Sequence, residues 1–160
     1  MLGKRINDPY MTEDGQAVEG LGLLDVETTM EKEKTRRCFT GTFSKPSGPL
    51  SLLADIPVEG YEIHMGKTLP DPGVSEFTSD GSGYCRGNVY GSYVHGLFDD
   101  ARAAAALIRT VAENAGKEGI SYDITDRSTY MEKQYSLLAD TLRQSLNMEM
   151  IYDLIGVKEK

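Results

Sequence analysis

The sequence predicts an α/β domain. Three stretches predict it: a period-two run from Pro57 to Leu69, a strand-like run from Tyr84 to Val94 that leads into an aspartate-capped, alanine-rich helix, and a long 3.6-period stretch near the C-terminus. With 160 residues, 39% of them hydrophobic, the chain can close one domain around its own core, since a domain of this size buries roughly 68–70% of its unfolded surface. No internal repeat, low-complexity tract or linker divides it, so residues 1–160 read as a single domain.

Met1-Leu-Gly-Lys-Arg-Ile6 has the composition of a helix's last turn, stopped by Asn7-Asp-Pro9 because proline disfavours helix in the residue before it; no helix start precedes it. Met11 to Gly22, polar and glycine-bearing, is a loop. Leu23 to Thr29 is strand-like, Glu31 to Thr35 a solvated turn or edge, and Arg36 to Phe43 the next strand. Ser44-Lys-Pro-Ser-Gly-Pro49 is punctuation. From Pro57 to Leu69, alternation puts Tyr61, Ile63 and Met65 on one face and Glu62 and His64 on the other, a strand with one polar face. Pro70 to Asp80 is a loop and Gly81-Ser-Gly83 a turn. In the following strand Val89, Gly91, Tyr93 and His95 share a face, which sets His95 at a strand's carboxyl end, where open α/β sheets keep ligands. Asp99 or Asp100 caps the helix Ala101 to Ala115, whose Ala104, Leu107, Ile108, Val111 and Ala112 form an apolar stripe fit to cover the sheet. Across Asp126 to Ile155, Met131, Tyr135, Leu138, Leu142 and Leu146 recur at helical steps, a stripe of the kind that packs into a core.

Charge and composition exclude several functions. A formal net charge of -8 repels phosphate backbones and anionic lipid, and no stripe of Lys and Arg with interleaved aromatics offsets it, so nucleic acid is not an expected partner. No run of about 18 apolar residues could span a bilayer, and no basic-then-apolar leader opens the chain. A soluble cytoplasmic protein with no membrane partner is expected. Cys38 and Cys85 lie far apart with no C-x-x-C and only two histidines in the chain, which suggests reduced thiols rather than a zinc site or a disulfide framework.

Histidine, with an ordinary pKa of about 6.5, suits proton transfer at neutral pH. His95 is the better candidate: a strand end fixes its backbone, and Gly91 and Gly96 let other chain or substrate approach; the plain alternative is a histidine that hydrogen-bonds a loop. His64, inside a strand, suits a structural or substrate-contacting role, with Glu62 on the same face to orient it or simply solvated. Neither cysteine stands at a helix N-terminus or beside an obvious imidazolium, so both read as small core residues rather than nucleophiles. There is no G-x-S-x-G elbow and no phosphate-binding G-x-x-x-x-G-K-[ST] loop. The chain thus offers a well-placed base and no matching nucleophile.

Four stretches in order, Val18-Glu-Gly-Leu-Gly-Leu-Leu-Asp-Val-Glu-Thr28, Gly60-Tyr-Glu-Ile-His-Met-Gly66, Gly91-Ser-Tyr-Val-His-Gly-Leu-Phe-Asp99 and Tyr135-Ser-Leu-Leu-Ala-Asp-Thr-Leu-Arg143, resemble the glutaminase domain of the cobyric acid synthases. That family belongs to the class I, or triad, glutamine amidotransferases. The resemblance implies a flavodoxin-like fold, a mixed sheet flanked by helices. It also implies a cysteine on a strand-to-helix elbow that attacks the glutamine side-chain amide, in a motif similar to G-I-C-G-G-Y-Q followed by M-L-G. This sequence opens on Met1-Leu2-Gly3, so the resemblance implies a partial domain, truncated at its N-terminus, whose nucleophile segment and ATP-dependent synthetase domain are absent.

Carried over, His95 matches the family's catalytic histidine. The glutamate that many class I members keep two residues later is replaced here by Leu97, which leaves Glu62, Asp99 or a carboxylate elsewhere as the third member of the triad. No cofactor-binding or metal-binding residue is implied in this chain; ATP and Mg would serve a synthetase domain outside it. Glutamine is the implied substrate and adenosylcobyrinic acid a,c-diamide the acceptor, in cobalamin biosynthesis, with the isolated chain inactive for lack of its cysteine. The alternatives are a non-catalytic split or remnant module that binds the missing segment or itself, and a related amidotransferase with another acceptor.

Overall fold

A computed structural model describes residues 1–46, 48–117, 119 and 124–156. The chain divides into two compact units, Met1–Ile124 and Thr125–Lys160, although no linker composition marks the division in the sequence. In the first unit the strands are β1 (Arg5–Asn7), β2 (Val18–Glu19), β3 (Val26–Thr42), β4 (Pro57–Pro70), β5 (Ser75–Thr78), β6 (Gly83–Arg86), β7 (Val89–Ser92) and β8 (Val94–His95), followed by helix α1 (Ala101–Asn114). A five-stranded sheet has the order β2-β1-β3-β4-β8, and a three-stranded sheet the order β5-β6-β7. β1 runs parallel to β3 and the other pairings are antiparallel, so the larger sheet is mixed, as predicted.

β3 and β4 form the long hairpin that carries the rest. β4 spans nearly the stretch that alternation marked. β3 fuses the two strands expected over Leu23–Thr29 and Arg36–Phe43, because the charged segment between them continues the strand through a register irregularity between Met30 and Thr35. The larger sheet's inward face meets the smaller sheet and α1: Phe39, Val58 and Val94 pack with Phe77, Cys85, Phe43, Leu53, Ala103 and Ala106. The segment after Ser47, which is outside the described residues, is not simple punctuation, since Gly48–Leu53 winds into a 3₁₀ turn that packs on α1 and buries Leu53.

Three expectations are corrected. Met1 to Ile6 is not the tail of a helix: Arg5–Asn7 pairs with both β2 and β3, and the backbone amides of Leu23 and Leu24 both donate to the Leu2 carbonyl. The expected strand over Tyr84–Val94 is three strands: β6 turns back at Gly87-Asn88 to pair with β7 in the smaller sheet, and beyond a second break at Tyr93 β8 joins the larger one. There the Tyr93 amide donates to the Ser82 carbonyl at 2.9 Å while Ser92 Oγ accepts from the Val94 amide at 3.0 Å, which turns the chain from one sheet to the other. His95 therefore does not extend the face of Val89 and Gly91. In α1 the buried residues are Ala103, Ala106, Thr110 and Ala112, so that of the expected stripe only Ala112 is buried and Val111 is exposed, because small alanines admit the closest approach to the core.

α1 begins where predicted. Asp100 is its cap, accepting from the Arg102 amide at 2.7 Å. In the second unit α2 (Arg127–Ser145) is capped by Asp126 and α3 (Met148–Ile155) by Asn147. The long helix expected over 126–155 is thus two helices that break at Leu146, where an extended backbone and the Asn147 cap restart the chain. Within its own unit the stripe is not packed away: no side chain of α2 is buried there. Among the described residues, no helix is long and apolar enough to cross a membrane.

Candidate functional site

β4 separates two environments. Its alternation is regular, but the polar face is the inner one: Glu62 is 2% exposed, whereas Tyr61 and Ile63 are 49% and 46% exposed on the outer side. The expectation that Glu62 could be merely solvated is corrected. Arg37, directly opposite on β3, carries a guanidinium whose Nε donates to Glu62 Oε2 at 2.5 Å, and a paired carboxylate can be buried where a lone one cannot. The same guanidinium donates to Asp80 Oδ2 at 2.6 Å and to Ser82 Oγ at 3.0 Å. Burial by itself would raise the Glu62 carboxyl, yet the Arg37 guanidinium and Ser82 hydroxyl beside it outweigh burial and hold it below its ordinary value. Its second oxygen, Oε1, is buried without a hydrogen-bond partner.

His64 belongs to this inner face. Its Nδ1 donates to the Gly66 carbonyl at 2.8 Å, its ring lies on Tyr93 with centroids 3.9 Å apart and planes 11° off parallel, and its Nε2 is 3.9 Å from Glu62 Oε2. The Tyr93 hydroxyl continues the network through Thr68 Oγ1 at 2.6 Å, which meets Thr28 Oγ1 at 2.7 Å. A cleft of about 740 Å³ opens here, with Glu62, His64, Asp80, Tyr84 and Tyr93 in its wall. One face of the His64 ring and its Nδ1 are committed to Tyr93 and the Gly66 carbonyl. Sequence reasoning missed Arg37, Ser82 and Tyr93, since cross-strand partners leave no mark in a single chain's periodicity.

His95 lies on the outer face. It stands opposite Tyr61, which stands opposite Cys38, so three strands place imidazole, phenol and thiol in one row. The His95 and Tyr61 rings stack with centroids 4.8 Å apart and planes 7° off parallel. The close approach of β8 depends on Gly60, where an added Cβ would fall 2.1 Å from the His95 carbonyl oxygen. After His95 the chain turns through Gly96 at φ 88°, a left-handed conformation that favours glycine, and reaches the α1 cap four residues later.

Neither thiol can serve this imidazole directly. Cys85 is fully buried in the core. Cys38 is exposed, which corrects its reading as a core residue, and lies two strand positions away, about 10 Å at the usual spacing, with Tyr61 between. Glu62 points to the opposite side of the sheet from His95, which removes it as the carboxylate that orients that histidine. Asp99 stays near the turn, its amide donating to the Gly96 carbonyl at 3.0 Å. The outer face thus presents an exposed imidazole at the end of β8, stacked on Tyr61.

Comparison with known proteins matches residues 1–103 to the CobB/CobQ-like glutamine amidotransferase domain. The cobyric acid synthase of Ruminiclostridium cellulolyticum is 40% identical over 97% of this chain and 32% of its own length. That of Dehalococcoides mccartyi strain BAV1 is 38% identical over 98% of this chain and 33% of its own, and that of Photorhabdus laumondii 38% over 95% and 32%. The chain therefore spans about a third of the length of the relatives it matches.

Proposed function

This chain belongs to the CobB/CobQ-like glutamine amidotransferase family, and we propose that it is the glutaminase-domain part of a cobyric acid synthase in which His95 is the catalytic base. The observation that carries this reading is an exposed imidazole, fixed at the end of β8, with no thiol of its own chain in reach. In the proposed reaction His95 takes the proton of a cysteine thiol supplied from outside these 160 residues. The thiolate adds to the side-chain carbonyl carbon of glutamine, and the resulting oxyanion rests on amides of that same outside segment. As the tetrahedral adduct collapses, the C–N bond breaks and His95 returns its proton to the leaving ammonia. Water, deprotonated by the same imidazole, then cleaves the thioester to glutamate and frees the thiol. General base and acid steps of this kind contribute roughly 10²–10⁴-fold each.

Ammonia would pass to a synthetase region that amidates carboxylates of adenosylcobyrinic acid a,c-diamide in cobalamin biosynthesis. ATP and Mg would be held by that region. The chain by itself should release no ammonia from glutamine above the uncatalysed rate, measured by coupled glutamate dehydrogenase assay. Hydrolysis that vanishes in Cys38→Ser or Cys85→Ser would overturn the proposal, because the nucleophile would then be internal.

A second reading, a non-catalytic module that works by binding a partner, draws on the exposed Tyr61 and Ile63 of the outer face. A dimer by light scattering that is lost in Tyr61→Lys/Ile63→Lys would favour it, and a monomer unchanged by those substitutions would count against it.

A further inference from the structure

We propose that Tyr61 is the positioning residue for His95, its ring holding the imidazole plane in the place of an orienting carboxylate. The inference rests on the reading of His95 as the base. In histidine-assisted nucleophile pairs a third group fixes the orientation of the imidazole, and a misplacement of about 1 Å can cost roughly 10²-fold in rate. Here Glu62 faces the other side of the sheet, and Leu97, two residues after His95, is apolar and offers no carboxylate. What does touch the imidazole is Tyr61: a near-parallel stack, 7° between planes at 4.8 Å between centroids.

The stack is built into the backbone. Tyr61 and His95 are directly opposed residues of an antiparallel pair, and Gly60 beside Tyr61 admits the β8 carbonyl where any larger residue would push it away. Tyr61 is not there to fill the core, since it is half exposed on the outer face while the core lies on the inner one. Its position in the row also places an aromatic ring between His95 and the Cys38 thiol, which keeps the chain's own exposed cysteine from competing with an outside one.

The chain itself can test this by NMR, because it has only two histidines and His64→Gln assigns the His95 resonances. The order parameter of the His95 Cδ2–H bond should be near the rigid value of about 0.85 in the native chain and in Tyr61→Phe, and fall below roughly 0.6 in Tyr61→Leu. Preserved amide shifts at Val94 would show that β8 still pairs. A rigid imidazole in Tyr61→Leu, or one freed by Asp99→Asn instead, would overturn the inference. A second readout uses a chimera in which these 160 residues replace the matching third of a relative: Tyr61→Leu should lower kcat for glutamine hydrolysis by roughly 10²-fold with KM held, and Tyr61→Phe should restore it. Activity in the chimera that survives His95→Ala would defeat the function proposed for His95 and leave the order-parameter result to judge the stack alone.

Discussion

The two faces of β4 carry one histidine each, His64 on the strand itself and His95 across from Tyr61, and their surroundings differ in kind. The inner imidazole is held by the Gly66 carbonyl at Nδ1 and by the Tyr93 ring, with the Arg37-paired Glu62 carboxylate 3.9 Å from Nε2. The outer imidazole is exposed and stacks on one flat partner. A satisfied histidine stabilises a fold, and an accessible one on a rigid strand is available for proton transfer. The contrast explains why the richer polar cluster is not where the base is proposed.

The largest test of this division lies on β3, where neighbours face opposite ways. Phe39→Ala should cost about 3–5 kcal/mol in urea unfolding because Phe39 is buried among Val58, Val94 and Ala106. A cost below about 1 kcal/mol would mean the inner face is not the core. Next, Gly60→Ala should destabilise by roughly 1–3 kcal/mol and release β8, since the added Cβ would overlap the His95 carbonyl. Loss of hydrogen-exchange protection at Val94 and Glu62 would report it, and retained protection would contradict it.

Smaller, and pH-dependent, is the Arg37–Glu62 pair. Because the folded state holds the Glu62 carboxyl below its ordinary 4.5, its contribution is fully present above that pH and is lost as the pH falls through the lowered value. Wild type should exceed Glu62→Gln in stability at pH 7, by no more than about 1 kcal/mol given the half-exposed guanidinium. The difference should shrink below pH 4.5, and a gap that stays constant on acidification would show that the pair contributes nothing. Least of all, Cys38→Ser should change stability by less than about 0.5 kcal/mol. In the native chain a thiol reagent should modify Cys38 and leave the buried Cys85 unmodified until unfolding.

Much of this organisation is legible in the sequence where a local cause dominates. The alternation of Pro57 to Leu69, the Asp100 cap and the position of His95 at a strand end each follow from a few consecutive residues. What alternation cannot give is which face is inside, for that is decided by Arg37 on another strand, whose charge makes burial of Glu62 tolerable. Likewise the break at Tyr93 depends on Ser82, ten residues earlier than Ser92, whose carbonyl accepts from Ser92 Oγ. Met1 to Ile6 has a helical composition, yet pairing with β2 and β3 outweighs that weak local preference. The stripe of α2 is readable as amphipathic, but amphipathicity states only that a face could be buried, and within its own unit nothing buries it.

The central claim is that the outer imidazole, not the inner one, moves the proton. Glutamine hydrolysis by the chimera that joins these residues to a relative's remaining chain tests it most directly, with His95→Ala and His64→Ala compared side by side. A fall of roughly 10³-fold or more in kcat for His95→Ala, against less than about 10-fold for His64→Ala, is the predicted result. Activity that survives without His95 and collapses without His64 would contradict it.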